Sequence, residues 1–190
     1  RVRRALAGGA IDVTRRRIES VAVDDATIEH WQGSVLLRGA TLEQVSKRLR
    51  HPERFPRPRD VMALRVSHWN EDGHELFLRI RRSWLVSATY DTWHAVRHRT
   101  RSTTRVDSTS VATRIDEVRD AGTATERRAS PADERGFLWR MQSSWRFAAV
   151  PEGVIVTCES ITLSRPVPTG LGPIARPIVT RIARESMTTA

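Results

Sequence analysis

The stretch GFLWRMQSSWRF, Gly136 to Phe147, sets two kinds of side chain on alternate positions. Phe137, Trp139, Met141, Ser143, Trp145 and Phe147 share one register, and Leu138, Arg140, Gln142, Ser144 and Arg146 the other. A strand turns successive side chains to opposite faces, so the stretch predicts a strand with an oily face toward a core and a cationic face toward water. Arginine suits the outer face because its stem covers the sheet while the guanidinium stays hydrated. GVIVTCESITLSR, Gly153 to Arg165, follows a Pro-Glu-Gly turn and completes a hairpin.

Upstream, the period of two recurs. VMALRVSHW from Val61 and ELFLRI from Glu75 flank the Asn70–Gly73 cluster, a second hairpin. WLVSATYDTWHAVRH is a long strand with Trp84, Val86, Ala88, Tyr90 and Val96 in one register; a turn at Arg101 to Thr104 returns the chain through VDSTSVATRIDEV. The basic string RHRTRSTTR is then a strand end and turn, with Arg97, Arg99 and Arg101 in solvent. TIEHWQGSVLL, Thr27 to Leu37, is a further strand, with Trp31, Val35 and Leu37 opposite Ile28 and Leu36. Two segments carry helical spacing. In TLEQVSKRL, Thr41 and Gln44 form a T-x-x-Q capping box, and Leu42, Val45 and Leu49 make one apolar stripe. Pro52, Pro56 and Pro58 stop it. Near the C-terminus, Ile174, Ile178, Val179, Ile182 and Met187 follow Gly172-Pro173 as a second stripe, with Pro177 expected to kink or delay it. Residues 119–135 have no hydrophobic period and are expected to be a mobile link. Residues 1–26 form a lead-in with one strand expected near Ile18 to Val23.

The chain has 190 residues, of which 39% are apolar. That length buries roughly 70% of its unfolded surface, enough for one core. No apolar run reaches the roughly 18 residues that cross a bilayer, which predicts a soluble protein, cytoplasmic or exported. The start at Arg1 and the stop at Ala190 inside an expected helix suggest a piece of a longer chain. Cys158 is the only cysteine, which excludes an internal disulfide framework. The net charge of +10 invites a nucleic-acid or anionic-membrane reading. Lys47 is the only lysine, however, and so arginine-heavy a balance follows from genomic base composition as readily as from function. A weak contact with anionic surfaces is expected, and no specific nucleic acid.

The order strand, helix, about six strands mostly in hairpins and a terminal helix is an antiparallel α+β plan. With FLWRMQSSWRF, GVIVTCESITLSRPVPTGLG and ARPIVTRIARESM, residues 27–190 resemble the START-like, or SRPBCC, superfamily, and look closest to bacterial members of unassigned activity. The resemblance implies a helix-grip fold: a curved seven-stranded antiparallel sheet wrapped around a long C-terminal helix, with a cavity between them. It implies a binding module for a hydrophobic or amphipathic small molecule (a lipid, an isoprenoid or a polyketide-like compound). The alternatives are a cyclase or aromatase using the same cavity, and the basic binder of nucleic acid or membrane. The ligand-binding residues expected in such a cavity are Trp139, Met141, Ser143, Trp145, Ser160, Ile178 and Ile182.

Other candidates carry less. His94 and His98, four apart on a strand, lie roughly 13 Å from each other, too far to share one metal ion. No two-histidine, one-carboxylate iron pattern is discernible, and neither a metal nor another cofactor is expected. Cys158 reads as a small buried hydrophobe. Glu159, in register with Ile155 and Ile161, is expected to pair with Arg140 or Arg146. TGLGP, at 169–173, is a turn whose free amides suit a small anion. No histidine, tyrosine or carboxylate pair is expected in the cavity, so no catalytic residue is assigned.

Overall fold

A computed structural model describes residues 12–15, 26–83, 87–129 and 138–165. They form one antiparallel sheet of β1 (Asp12–Arg15), β2 (Thr27–Arg38), β3 (Val61–Asn70), β4 (Gly73–Ser83), β5 (Ser87–Ser102), β6 (Arg105–Arg119), β7 (Arg127–Arg128), β8 (Leu138–Val150) and β9 (Gly153–Ser164). The spatial order is β1-β2-β9-β8-β6-β5-β4-β3, with β7 on β6. The seven long strands are those the alternation predicts. The two short ones correct the count, because pairing over two to four residues leaves no periodic trace in the sequence.

β1 lies within the expected lead-in and pairs with β2, Arg15 opposite Trp31. The strand expected near Ile18 to Val23 lies outside the described residues, as do TGLGP and the whole terminal stripe from Ile174 to Met187. The link expected to be mobile from 119 is structured as far as Ala129. Asp120–Thr125 turn on their own hydrogen bonds, and Arg127–Arg128 add to β6. Glu126 reaches Arg79 at 2.9 Å and takes the Gly122 amide at 2.8 Å. Polar side chains replace the missing apolar period, so hydrophobic patterning misses this piece.

The single described α-helix, α1 (Leu42–Arg50), starts as its sequence dictates. The Thr41 hydroxyl accepts the Gln44 amide at 3.2 Å, and the Gln44 side chain accepts the Thr41 amide at 2.9 Å. Val45, with Leu42 and Leu49 beside it, packs on Phe147, Val154 and Val156 of the β8–β9 hairpin. Past His51 the proline-rich chain makes one 3-10 turn, Pro52–Arg54, and leads into β3. The helix is thereby held against one face of the sheet.

The opposite face carries the charge. Arg97, Arg99, Arg101, Arg140 and Arg146 are exposed. Arg101 and Arg105 hold Asp107 at 3.1 and 2.7 Å, and Arg114 holds Asp116 at 2.7 Å. Arg79 grips the buried Asp91 with two bonds of 2.7 and 2.9 Å, and this grip, first among its contacts, raises the guanidinium pKa. Between these pairs, Arg114 lies over Trp93 at 4.8 Å and Arg65 over Phe77 at 4.2 Å from the ring centres. Much of the basic charge is thus matched by carboxylates or aromatic faces.

Two substitutions test this account by urea denaturation. Thr41→Ala removes the cap and costs about 1 kcal/mol. Gly153, at φ +144°, faces the Leu37 carbonyl so closely that a Cβ would overlap it; Gly153→Ala is expected to cost clearly more than the cap.

Candidate functional site

A cavity of about 460 Å³ lies between the sheet and the segment formed by α1 and the proline-rich chain. The sheet supplies its floor from seven strands, β6 through Ser108 and Ser110 and the other six through apolar side chains. Val35 and Leu37 come from β2, Leu64 from β3, Leu76 and Leu78 from β4, Val96 from β5, Met141 and Trp145 from β8, and Val156 from β9. Val45 and Leu49 of α1, with Phe55, Pro56 and Pro58, supply the roof. Register sets much of this wall: in β4, β8 and β9 alternate residues face the cavity and most of them are apolar, whereas β5 turns His94 and His98 inward beside Val96, and β6 turns Ser108 and Ser110 inward.

β8 shows the rule and its exception. Met141, Ser143, Trp145 and Phe147 line the cavity, while Arg140, Gln142 and Arg146 are exposed. Trp145 and Phe147 stack with centroids 6.4 Å apart. Trp139 belongs to the same sequence register but is not among the lining residues. The pairing shifts by one between Leu138, opposite Ser164, and Arg140, opposite Leu163. That extra residue is a bulge, which breaks the alternation at Trp139. Ser160 sits between Trp31 of β2 and Ser143 of β8, partly buried and off the cavity lining. Ile178 and Ile182 lie outside the described residues.

Glu159 faces outward, as its register predicts, but its partner is His30 of β2 at 2.6 Å and not an arginine of β8. Arg146 instead lies 3.9 Å from Asp107. β9 is flanked by β2 as well as β8, and the partner comes from the flanking strand that is farther away in sequence. Cys158 lines the cavity with its thiol buried, and burial pushes its pKa up to about 12. A thiol held protonated in this way is a poor nucleophile.

The histidines correct the sequence reading most. His74, His94 and His98 are all buried and all line the cavity. His94 and His98 remain four apart along β5, with Val96 between them and His74 opposite Val96 on β4. Their parity is that of Tyr90 and Val96, so the signal was present in the alternation. His94 is fully engaged. Thr92 spends its one hydroxyl proton on the Leu78 carbonyl at 3.2 Å, so the His94 Nε2–H donates to Thr92 at 2.9 Å. Nδ1 then accepts from the Ser110 hydroxyl at 3.2 Å. The other two are not engaged in this way: among the described residues, Nδ1 of His74 and both ring nitrogens of His98 find no hydrogen-bond partner.

Burial disfavours the charged form of all three rings. It pushes His94 and His98 down to about 4, in His98 with help from His74 and Arg50, and lowers His74 as well. At neutral pH the cavity therefore holds uncharged imidazoles. From His98 a chain of rings leads outward: His98 to His74 at 5.3 Å, His74 to Trp69 at 5.2 Å, and Trp69 to His51 at 4.7 Å, with Trp69 exposed.

No protein-family model matches the chain, and no protein of curated function matches it in sequence. Solved structures do match in fold. The STAR-related lipid transfer protein from Xanthomonas axonopodis superposes with a TM-score of 0.63 at 15% identity, over 94% of this chain and 90% of that one. Human STARD10 superposes with a TM-score of 0.55 at 10% identity, over 94% of this chain and 66% of that one. The fold is START-like. Among the described residues no helix is long and apolar enough to cross a membrane.

The depressed histidines fix a pH dependence. An unfolded chain takes up protons at ordinary histidine pKa values near 6.5, whereas folded His94 and His98 wait until about 4. Stability is therefore complete above about pH 6.5 and is lost as the pH falls toward 4. Thermal midpoints recorded across that range are expected to fall steadily; a flat curve would contradict the buried, neutral placement.

Proposed function

We propose that the chain binds a hydrophobic or amphipathic small molecule, such as a lipid, an isoprenoid or a polyketide-like compound, in the 460 Å³ cavity. The observation that carries this reading is the cavity itself, within the size range of small-molecule sites and walled mainly by aliphatic and aromatic side chains. The START-like fold and its likeness to a lipid transfer protein support it. In this reading residues 27–190 are the binding domain, and Met141, Ser143 and Trp145 touch the ligand from the sheet. The C-terminal segment closes the cavity as the gripped helix, with Ile178 and Ile182 toward the ligand.

A second reading, a cyclase or aromatase, draws on the three cavity histidines, because a positioned acid or base is what such an enzyme adds to a pocket. His94 is committed to Thr92 and Ser110, so His98 is the group that reading would use. The basic-binder reading has less support, since many of the exposed arginines are paired with carboxylates on the outer face.

Titration with N-phenyl-1-naphthylamine, a neutral apolar fluorophore, tests the binding reading. One saturable site is expected, and Ser143→Phe, which fills part of the cavity, is expected to weaken it by about tenfold or more, the loss of one well-buried contact. Arg146→Gln, on the outer face, should change stability by no more than about 1 kcal/mol and leave the titration as it was. A fluorophore that fails to bind, or binds equally to Ser143→Phe, would contradict the proposal.

A further inference from the structure

Among the described residues, three ring nitrogens in this largely apolar cavity have no hydrogen-bond partner, and they lie together. His98 and His74 are 7% and 5% exposed, their ring centroids 5.3 Å apart, and both line the cavity. Leaving a buried polar atom unsatisfied costs as much as a lost hydrogen bond or more, so native structures rarely do so without a use for the group. His94 shows that this sheet can satisfy an imidazole completely when it needs to, through Thr92 and Ser110. The residue opposite His98 on β6 is Ser108, and the pair is not hydrogen-bonded through either ring nitrogen.

The charged side chains among the described cavity lining are arginines. Arg48 and Arg57 line the cavity, and no aspartate or glutamate does among its described residues. Arg48 lies over the Phe55 ring at 5.0 Å, and among the described residues no carboxylate pairs with it. Arg57 donates to the Met62 carbonyl at 3.1 Å. Arg50 of α1 acts on His98 from the helix side, and His51 and Glu53 of the following turn act on His74. Glu53 is engaged by His51 at 3.3 Å and Arg54 at 3.7 Å. The rest of the lining is aliphatic or aromatic apart from His94 and the small Gly33, Ser34, Ser108, Ser110, Ser143 and Cys158.

Resting on the reading of the cavity as a binding site, we propose that His98 and His74, with Arg48, form a subsite for the carboxylate of an amphipathic acid whose apolar part occupies the aliphatic end. A neutral imidazole offers one N–H to a carboxylate oxygen, and two of them side by side offer two. The guanidinium supplies the counter-charge without competing for the same lone pairs. The ester of the same acid keeps the apolar part and loses both the charge and most of the acceptor strength, so the subsite discriminates by charge-assisted hydrogen bonding rather than by size.

The test is displacement of N-phenyl-1-naphthylamine from the full chain at neutral pH by dodecanoic acid and by methyl dodecanoate. The acid is expected to bind at least about tenfold more tightly than the ester, the worth of a hydrogen bond to a charged group. In His98→Phe, which keeps the ring volume, the two are expected to converge; His98→Gln, which keeps a donor, is expected to retain part of the preference. Acid and ester displacing equally well from the unaltered chain would overturn the carboxylate subsite while leaving the binding reading intact. A preference that survives unchanged in both variants would overturn the role of His98. If the fluorophore finds no saturable site at all, the binding reading fails and the subsite with it.

Discussion

Everything in this fold follows from the need to cover one face of the β8–β9 hairpin. Its inward side chains, Met141, Trp145, Phe147, Val154 and Val156, are too apolar to face water, and their neighbours across the sheet repeat the pattern through Val35, Leu37, Val96, Leu76 and Leu78. At roughly 25 cal/mol for each Å² of apolar surface removed from water, burial of a single large side chain outweighs any one of the exposed ion pairs on the other face. Among the described residues, α1 meets this need around Phe147, Val154 and Val156, with Trp145, Val35 and Leu37 beside them. A helix of nine residues covers part of so broad a sheet, and the space beside it becomes the cavity.

The polar content of that space is selective. Three histidines are taken out of water by the same strands that supply the leucines and valines, and burial keeps them uncharged. One is locked by a threonine and a serine; two have ring nitrogens that no described residue satisfies. A fold maximising stability alone would place leucine at His98, as it does at Leu76 and Leu78. Retaining an imidazole there costs stability on acidification and provides the cavity with its polar contacts, a trade common to binding sites.

The architecture was largely legible because alternation and capping are local. GFLWRMQSSWRF predicts which side chains of β8 line the cavity from Met141 onward, and the Thr41–Gln44 box places α1 to the residue. What escaped depends on non-local facts. The bulge at Trp139 is set by how β8 and β9 leave register near Ser164 and not by either strand's own composition. Glu159 had two flanking strands to choose from, and only the strand order reveals His30 as its partner. The turn at 120–129 is held by side-chain hydrogen bonds, which leave no period. His94 and His98, four apart on a strand, are too far from each other to share one metal ion. The same parity argument that placed Trp145 would have put them, with His74 across the β4–β5 ladder, inside the cavity.

Native mass spectrometry of the purified chain bears most directly on the claim that this cavity is a small-molecule site. Under gentle conditions the account predicts a species heavier than the polypeptide that returns to the bare mass on denaturation, or, for protein freed of ligand, a single added mass after incubation with an apolar amphiphile. A bare polypeptide that acquires nothing when lipids or long-chain acids are supplied would contradict it.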